Sequence, residues 1–151
     1  MTPPKTAATA RSGTPASDSW LDQRTGVVVG VAGAAATLLT LVELDPRTAT
    51  ALGAVLVAMI YGVYSGFALS AGSPRHLAVE GVFLLTGLTL AFLSLGHGRV
   101  WLAIALLLHG VWDVLHHADR HVLGTPGVPR WYVSFCSTYD ILAAALVMVV
   151  R

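Results

Sequence analysis

The stretch Leu106–His121, LLLHGVWDVLHHADRH, decides how this chain is to be read. It starts as an apolar helix, yet it carries His109, Asp113, His116 and His117 before it reaches Asp119, Arg120 and His121. An ionised side chain at the centre of a bilayer costs roughly 3 kcal/mol or more, so such residues face a bundle interior and mark functional sites. At about 100° per residue, His109, Asp113, His116 and Arg120 fall within an arc of roughly 60° on one helix face, with His117 beside it. A membrane helix with one polar stripe needs partners on other helices.

The rest of the chain supplies those helices. Of its 151 residues 55% are hydrophobic and 11% charged, and the apolar ones are gathered into five long runs separated by short loops. That pattern predicts an all-α fold, a polytopic membrane helical bundle of five transmembrane helices over residues 25–151. A net charge of +1 with no Lys/Arg cluster excludes a nucleic-acid partner. The single cysteine, Cys136, lies inside the fifth run and reads as a small buried hydrophobe.

In chain order, residues 1–24 are rich in Thr, Ala, Ser and Pro and are expected to form a disordered cytoplasmic tail. The first apolar run begins only at Gly26, well after Lys5 and Arg11, which does not match a cleaved signal peptide. Helix 1 is predicted over Thr25–Leu44, with Gly26, Gly30 and Gly33 allowing close approach of another helix. Asp45-Pro46 reads as an N-cap followed by proline in the first turn, opening helix 2 to about Ala71, and Ser73-Pro74 repeats the pattern for helix 3 to Leu95. Helix 4 starts near Val100 and is predicted to continue past His121 to Gly124. A turn-rich loop, GTPGVP, leads to helix 5 from about Arg130 to Val150.

Five spans put Lys5, Arg11, Arg24, Arg75, Arg120 and Arg130 on one side and Arg47, Arg99 and Arg151 on the other. The excess of positive charge predicts a multi-pass protein of the cell membrane with its amino terminus in the cytoplasm. The ends of helices 2 and 4 and the starts of helices 3 and 5 then share one side. At about 1.5 Å per residue, Glu80 sits roughly 5–10 Å and Asp113 and Asp140 roughly 8–15 Å below that boundary. The opposite half holds Glu43 near its surface and almost nothing else ionisable.

Each acid alone reads as a group paired with a helix 4 histidine to hold helices together. Together, Asp113, His109, His116, His117, Glu80 and Asp140 at similar depth predict a catalytic cluster in a polar cavity, with Tyr61, Tyr64, Trp112, Trp131 and Tyr139 as an aromatic lining for substrate. The tyrosines also suit an interfacial belt. Acid–base chemistry on a lipophilic, isoprenoid- or lipid-like molecule from the bilayer is the expected function, such as isomerisation, cyclisation or hydrolysis. A metal-dependent variant would use His109, Asp113, His116 and His117 to hold one zinc or iron, helped by Asp140 or Glu80. The HHxxxH string of His116, His117 and His121 superficially resembles a histidine box, but a di-iron oxygenase needs several. No GxSxG string supports a serine hydrolase. The alternative is a non-enzymatic haem- or metal-binding protein or a subunit of a membrane complex, and self-association is expected to be compatible with either.

LLLHGVWDVLHH followed by VPRWYVSFCSTYD resembles a group of small bacterial membrane proteins known only by a domain of unknown function. In that pattern a Leu-Leu-His, Trp-Asp, His-His string precedes a Pro-rich loop and a Cys-x-x-x-Asp helix. The matching positions here are His109, Trp112, Asp113, His116, His117, Cys136 and Asp140. The resemblance covers helices 4 and 5 and implies a choice of residues without implying a reaction.

Overall fold

The computed structural model describes residues 16–118 and 124–149, with side chains from Asp22 to His116 and from Gly124 to Val149. Among these residues the fold is all-α, with five helices: α1 Ala16–Val42, α2 Pro46–Ser70, α3 Pro74–His97, α4 Val100–Ala118 and α5 Arg130–Val149. Four segments are long and apolar enough to cross a membrane: Asp22–Val42, Pro46–Ser70, Pro74–His97 and Arg130–Val149. The apolar part of α4, Val100–His116, is shorter. The 19 residues of α4 still rise about 28 Å, close to the thickness of a bilayer core. The outer surface is itself apolar, with Leu39, Val82, Leu85 and Phe92 exposed, as lipid contact requires and water would penalise.

Helix boundaries follow local chemistry. Asp45 caps α2, its Oδ1 accepting from the backbone N–H of Arg47 at 3.0 Å and of Thr48 at 3.1 Å, with Pro46 at the first turn. Ser73 has the extended backbone of an N-cap but makes no capping bond. Its hydroxyl instead lies 2.6 Å from His76 Nδ1, so the predicted cap is met in backbone only. Gly98, at φ +97°, turns the chain from α3 into α4 where an L side chain would be strained. The first boundary differs from expectation. α1 begins at Ala16, inside the stretch read as tail: no proline stands between Pro15 and Pro46, and the acidic Asp18 falls in the first turn, where a negative charge favours a helix start. Residues 1–15 of that tail, and the predicted extension of α4 through His121, lie outside the described residues.

α4 packs against α2, α3 and α5, and α1 packs on α5. The α1–α5 contact is made by the predicted glycines. A Cβ on Gly26 would collide with the Trp131 carbonyl, and one on Gly30 would lie 2.7 Å from the Phe135 carbonyl oxygen. A small-xxx-small face of this kind lets two backbones touch where lipid gives no hydrophobic drive for association. Toward the α4 amino-terminal end the core is apolar, built from Leu41, Ala49, Val57, Leu102, Leu106 and Val147. The buried ionisable residues Glu80, His109, Asp113, His116 and Asp140 gather toward the other end.

Candidate functional site

Helical periodicity puts His109, Asp113 and His116 on one face of α4, and the structure turns that face inward: all three are buried. They belong to two separate networks.

The inner network joins α2, α4 and α5. His109 Nδ1 lies 2.7 Å from Asp140 Oδ2 and 3.5 Å from Asp113 Oδ2, and the Tyr64 hydroxyl donates to Asp113 Oδ1 at 2.7 Å. The His109 ring is enclosed by the rings of Tyr61, Tyr64 and Phe83. His109, Asp113 and Asp140 have zero exposed area, yet His109 Nε2, Asp113 Oδ2 and Asp140 Oδ1 have no hydrogen-bond partner. One ligand atom from each of the three residues lies within 4.8 Å of the others.

The outer network joins α3, α4 and the loop before α5. Glu80 Oε1 lies 2.9 Å from His116 Nε2 and accepts from the Thr125 hydroxyl at 2.6 Å, while Oε2 accepts from Trp112 Nε1 at 3.2 Å. His116 Nδ1 lies 3.0 Å from the Trp112 carbonyl oxygen. A carbonyl only accepts, so Nδ1 carries a hydrogen, and the His116–Glu80 bond needs one further proton shared between ring and carboxyl. The two networks meet at Tyr64, whose ring contacts both histidines and whose hydroxyl holds Asp113.

Two cavities flank the outer network. One of about 340 Å³ lies at the bundle end, lined by His116, Thr125, Pro126, Val128, Arg130 and Val133 among others. The second, about 420 Å³, is an apolar groove on the outer face, lined by Ala78, Val79, Val82, Phe83, Thr86 and Trp112. The Trp112 indole stacks on Phe83 and donates to Glu80, so it separates the groove from the carboxylate.

The predicted residues are thus brought together in part. His109 engages Asp113 and Asp140, and Glu80 engages His116, whereas the His117 side chain lies outside those described. The predicted metal set of His109, Asp113, His116 and His117 is rearranged: His116 turns to Glu80, and Asp140 joins His109 and Asp113 because α5 presents it to that side of α4. The five aromatics do not line one cavity. Tyr61 donates to the Ala105 carbonyl at 2.7 Å, Tyr139 turns to Thr37 on α1 at 2.9 Å, and Trp131 is exposed where α5 meets α1. Trp112 and Tyr64 alone among them touch a buried carboxylate. Thr125 and Phe83 were not anticipated. The only hint of Thr125 is that it is a polar residue held between Gly124 and Pro126.

Together these features define a helical membrane protein with a buried histidine–carboxylate centre. The chain belongs to a family described as a family of unknown function (DUF6010), whose model matches residues 25–150. No curated protein and no solved structure gives a significant match.

Proposed function

We propose that this is an integral membrane enzyme, with its amino terminus cytoplasmic, that acts on a lipophilic small molecule of isoprenoid or lipid type by proton transfer through Glu80 and His116. The observation that carries this reading is the position of the Glu80–His116 bond, 2.9 Å long, between a pocket of about 340 Å³ at the bundle end and an outward apolar groove of about 420 Å³. An apolar substrate reaches the groove from the bilayer, and water and protons reach His116 from the bundle end.

The chemistry follows from the bonding. His116 is fixed in ring orientation by its Nδ1–H bond to the Trp112 carbonyl, leaving Nε2 as the atom that exchanges a proton with Glu80. Thr125 and Trp112 each donate to Glu80, so its carboxylate form stays hydrogen-bonded while the proton is elsewhere. An acid–base pair held this way can deliver a proton at one carbon and remove one at another, as isomerisation or cyclisation requires. Motion of the Trp112 indole opens the groove to that pair.

The test uses wild-type protein and Glu80→Gln, each incubated with a total membrane lipid extract in deuterated water and compared by mass spectrometry. A lipid species that gains deuterium or is converted only with the wild type supports the proposal. Identical lipid profiles from the two proteins sink it.

A further inference from the structure

We propose that His109, Asp113 and Asp140 form a binding site for one divalent transition-metal ion of the zinc(II) or iron(II) class. This goes beyond the proton-transfer reading and does not depend on it, since that reading uses Glu80 and His116.

Three observations converge. The first is geometric: a ring nitrogen of His109 and one oxygen each from Asp113 and Asp140 lie within 4.8 Å of one another, drawn from two helices that pack along their length. The second is unmet bonding. All three residues are fully buried, and Asp113 Oδ2, which faces His109 Nδ1 at 3.5 Å, has no hydrogen-bond partner, nor has Asp140 Oδ1. Buried polar atoms are satisfied in the great majority of proteins, and an unsatisfied one calls for an explanation such as a bound ion. The third is charge. With both carboxylates ionised and the imidazole neutral, the state in which all three can act as ligands, the cluster carries two negative charges within the bundle, and a divalent cation cancels both.

The donor set narrows the ion. One imidazole and two carboxylates suit zinc(II), iron(II) or manganese(II), whereas calcium and magnesium favour all-oxygen shells and copper(I) favours thiolates. Three protein ligands leave a coordination position open, as in catalytic rather than structural sites. Tyr64 is placed as a supporting residue, since its hydroxyl donates to Asp113 Oδ1 and leaves Oδ2 to face His109. The ion takes the place of the hydrogen in the His109–Asp140 bond: the neutral ring changes tautomer so that Nε2 carries its hydrogen, Nδ1 and the carboxylate oxygen become ligands, and no net proton is released.

The experiment takes the full chain in detergent, strips it with a chelator, and titrates Zn²⁺ with elemental analysis and Co²⁺ with visible absorption. Wild type is expected to bind one ion per chain and to gain Co²⁺ ligand-field bands. Asp113→Asn and Asp140→Asn should weaken binding at least about 100-fold, Tyr64→Phe about 10-fold, and His116→Gln hardly at all. Wild type with no saturable site for Zn²⁺, Fe²⁺ or Mn²⁺, or Asp140→Asn binding as tightly as wild type, overturns the proposal. Where the Asn variants fail to accumulate as folded protein, a Zn²⁺-dependent rise in the thermal midpoint of wild type, diminished in Tyr64→Phe, decides for the site, and its absence decides against it.

Discussion

The two polar networks on α4 use the same residue types and lie about one helical turn apart, yet one is complete and the other is not. Around Glu80 both carboxylate oxygens are engaged, by Thr125, His116 and Trp112. Around His109 three buried atoms on three residues stand without a partner. A network whose donors and acceptors are matched holds its shape by itself, while an incomplete one in hydrocarbon is a higher-energy arrangement unless something fills it. The difference is that the outer network has no bonding capacity left over on its carboxylate, whereas the inner one does, and that spare capacity is what the proposed ion would use.

The largest effect on stability is expected where the complete network is broken. Glu80→Ala strands the Trp112 N–H, the Thr125 hydroxyl and a buried His116, and should cost about 3–5 kcal/mol in unfolding measurements in detergent. In chelated protein Asp140→Ala removes one bonded oxygen and also one unpartnered oxygen, so it should cost at least about 1 kcal/mol less than Glu80→Ala. Equal losses would mean that the two networks are equally satisfied and would break the comparison.

A second expectation sharpens it through packing. A Cβ on Gly87 would run into the Tyr61 ring, which contacts His109 and donates to Ala105. Gly87→Ala should therefore destabilise the chain by about 1–3 kcal/mol through overpacking. It should also perturb the His109 imidazole resonances in NMR spectra while leaving those of His116 in place. Shifts of both rings to the same extent would show that the networks move as one body.

Much of this architecture was legible in the sequence, and the remainder was not for identifiable reasons. Asp45-Pro46 announced α2 because capping is local, and Gly26 and Gly30 announced a close helix contact because small residues have few other uses at that spacing. The inward stripe of α4 followed from the 3.6-residue period. What periodicity lacks is azimuth relative to the neighbouring helices. It placed Glu80, Asp140 and the histidines at one depth, but the pairing of Asp140 with His109 and of Glu80 with His116 depends on how α3 and α5 are rotated about α4. Thr125 reaches Glu80 from a loop 45 positions away, a contact that no local pattern encodes. Gly87 was invisible for the same reason, since its role is set by the Tyr61 ring on another helix.

The smallest effect concerns a carboxylate outside the bundle, and it tests whether the contrast between satisfied and unsatisfied acids holds in water. Asp45 is exposed, and its hydrogen bonds with Thr48, side chain first and then backbone, hold its carboxyl below the usual range, with the backbone N–H of Arg47 adding to the effect. A group whose folded pKa is depressed contributes stability above its unfolded value and loses it as pH falls through the folded one. Asp45→Ala should therefore lower the thermal midpoint by a few degrees at neutral pH, and the difference from wild type should fade below about pH 4. A difference that persisted unchanged in acid would assign the effect to the neutral side chain's contacts, and the cap's anionic bonding would then not be what fixes the start of α2.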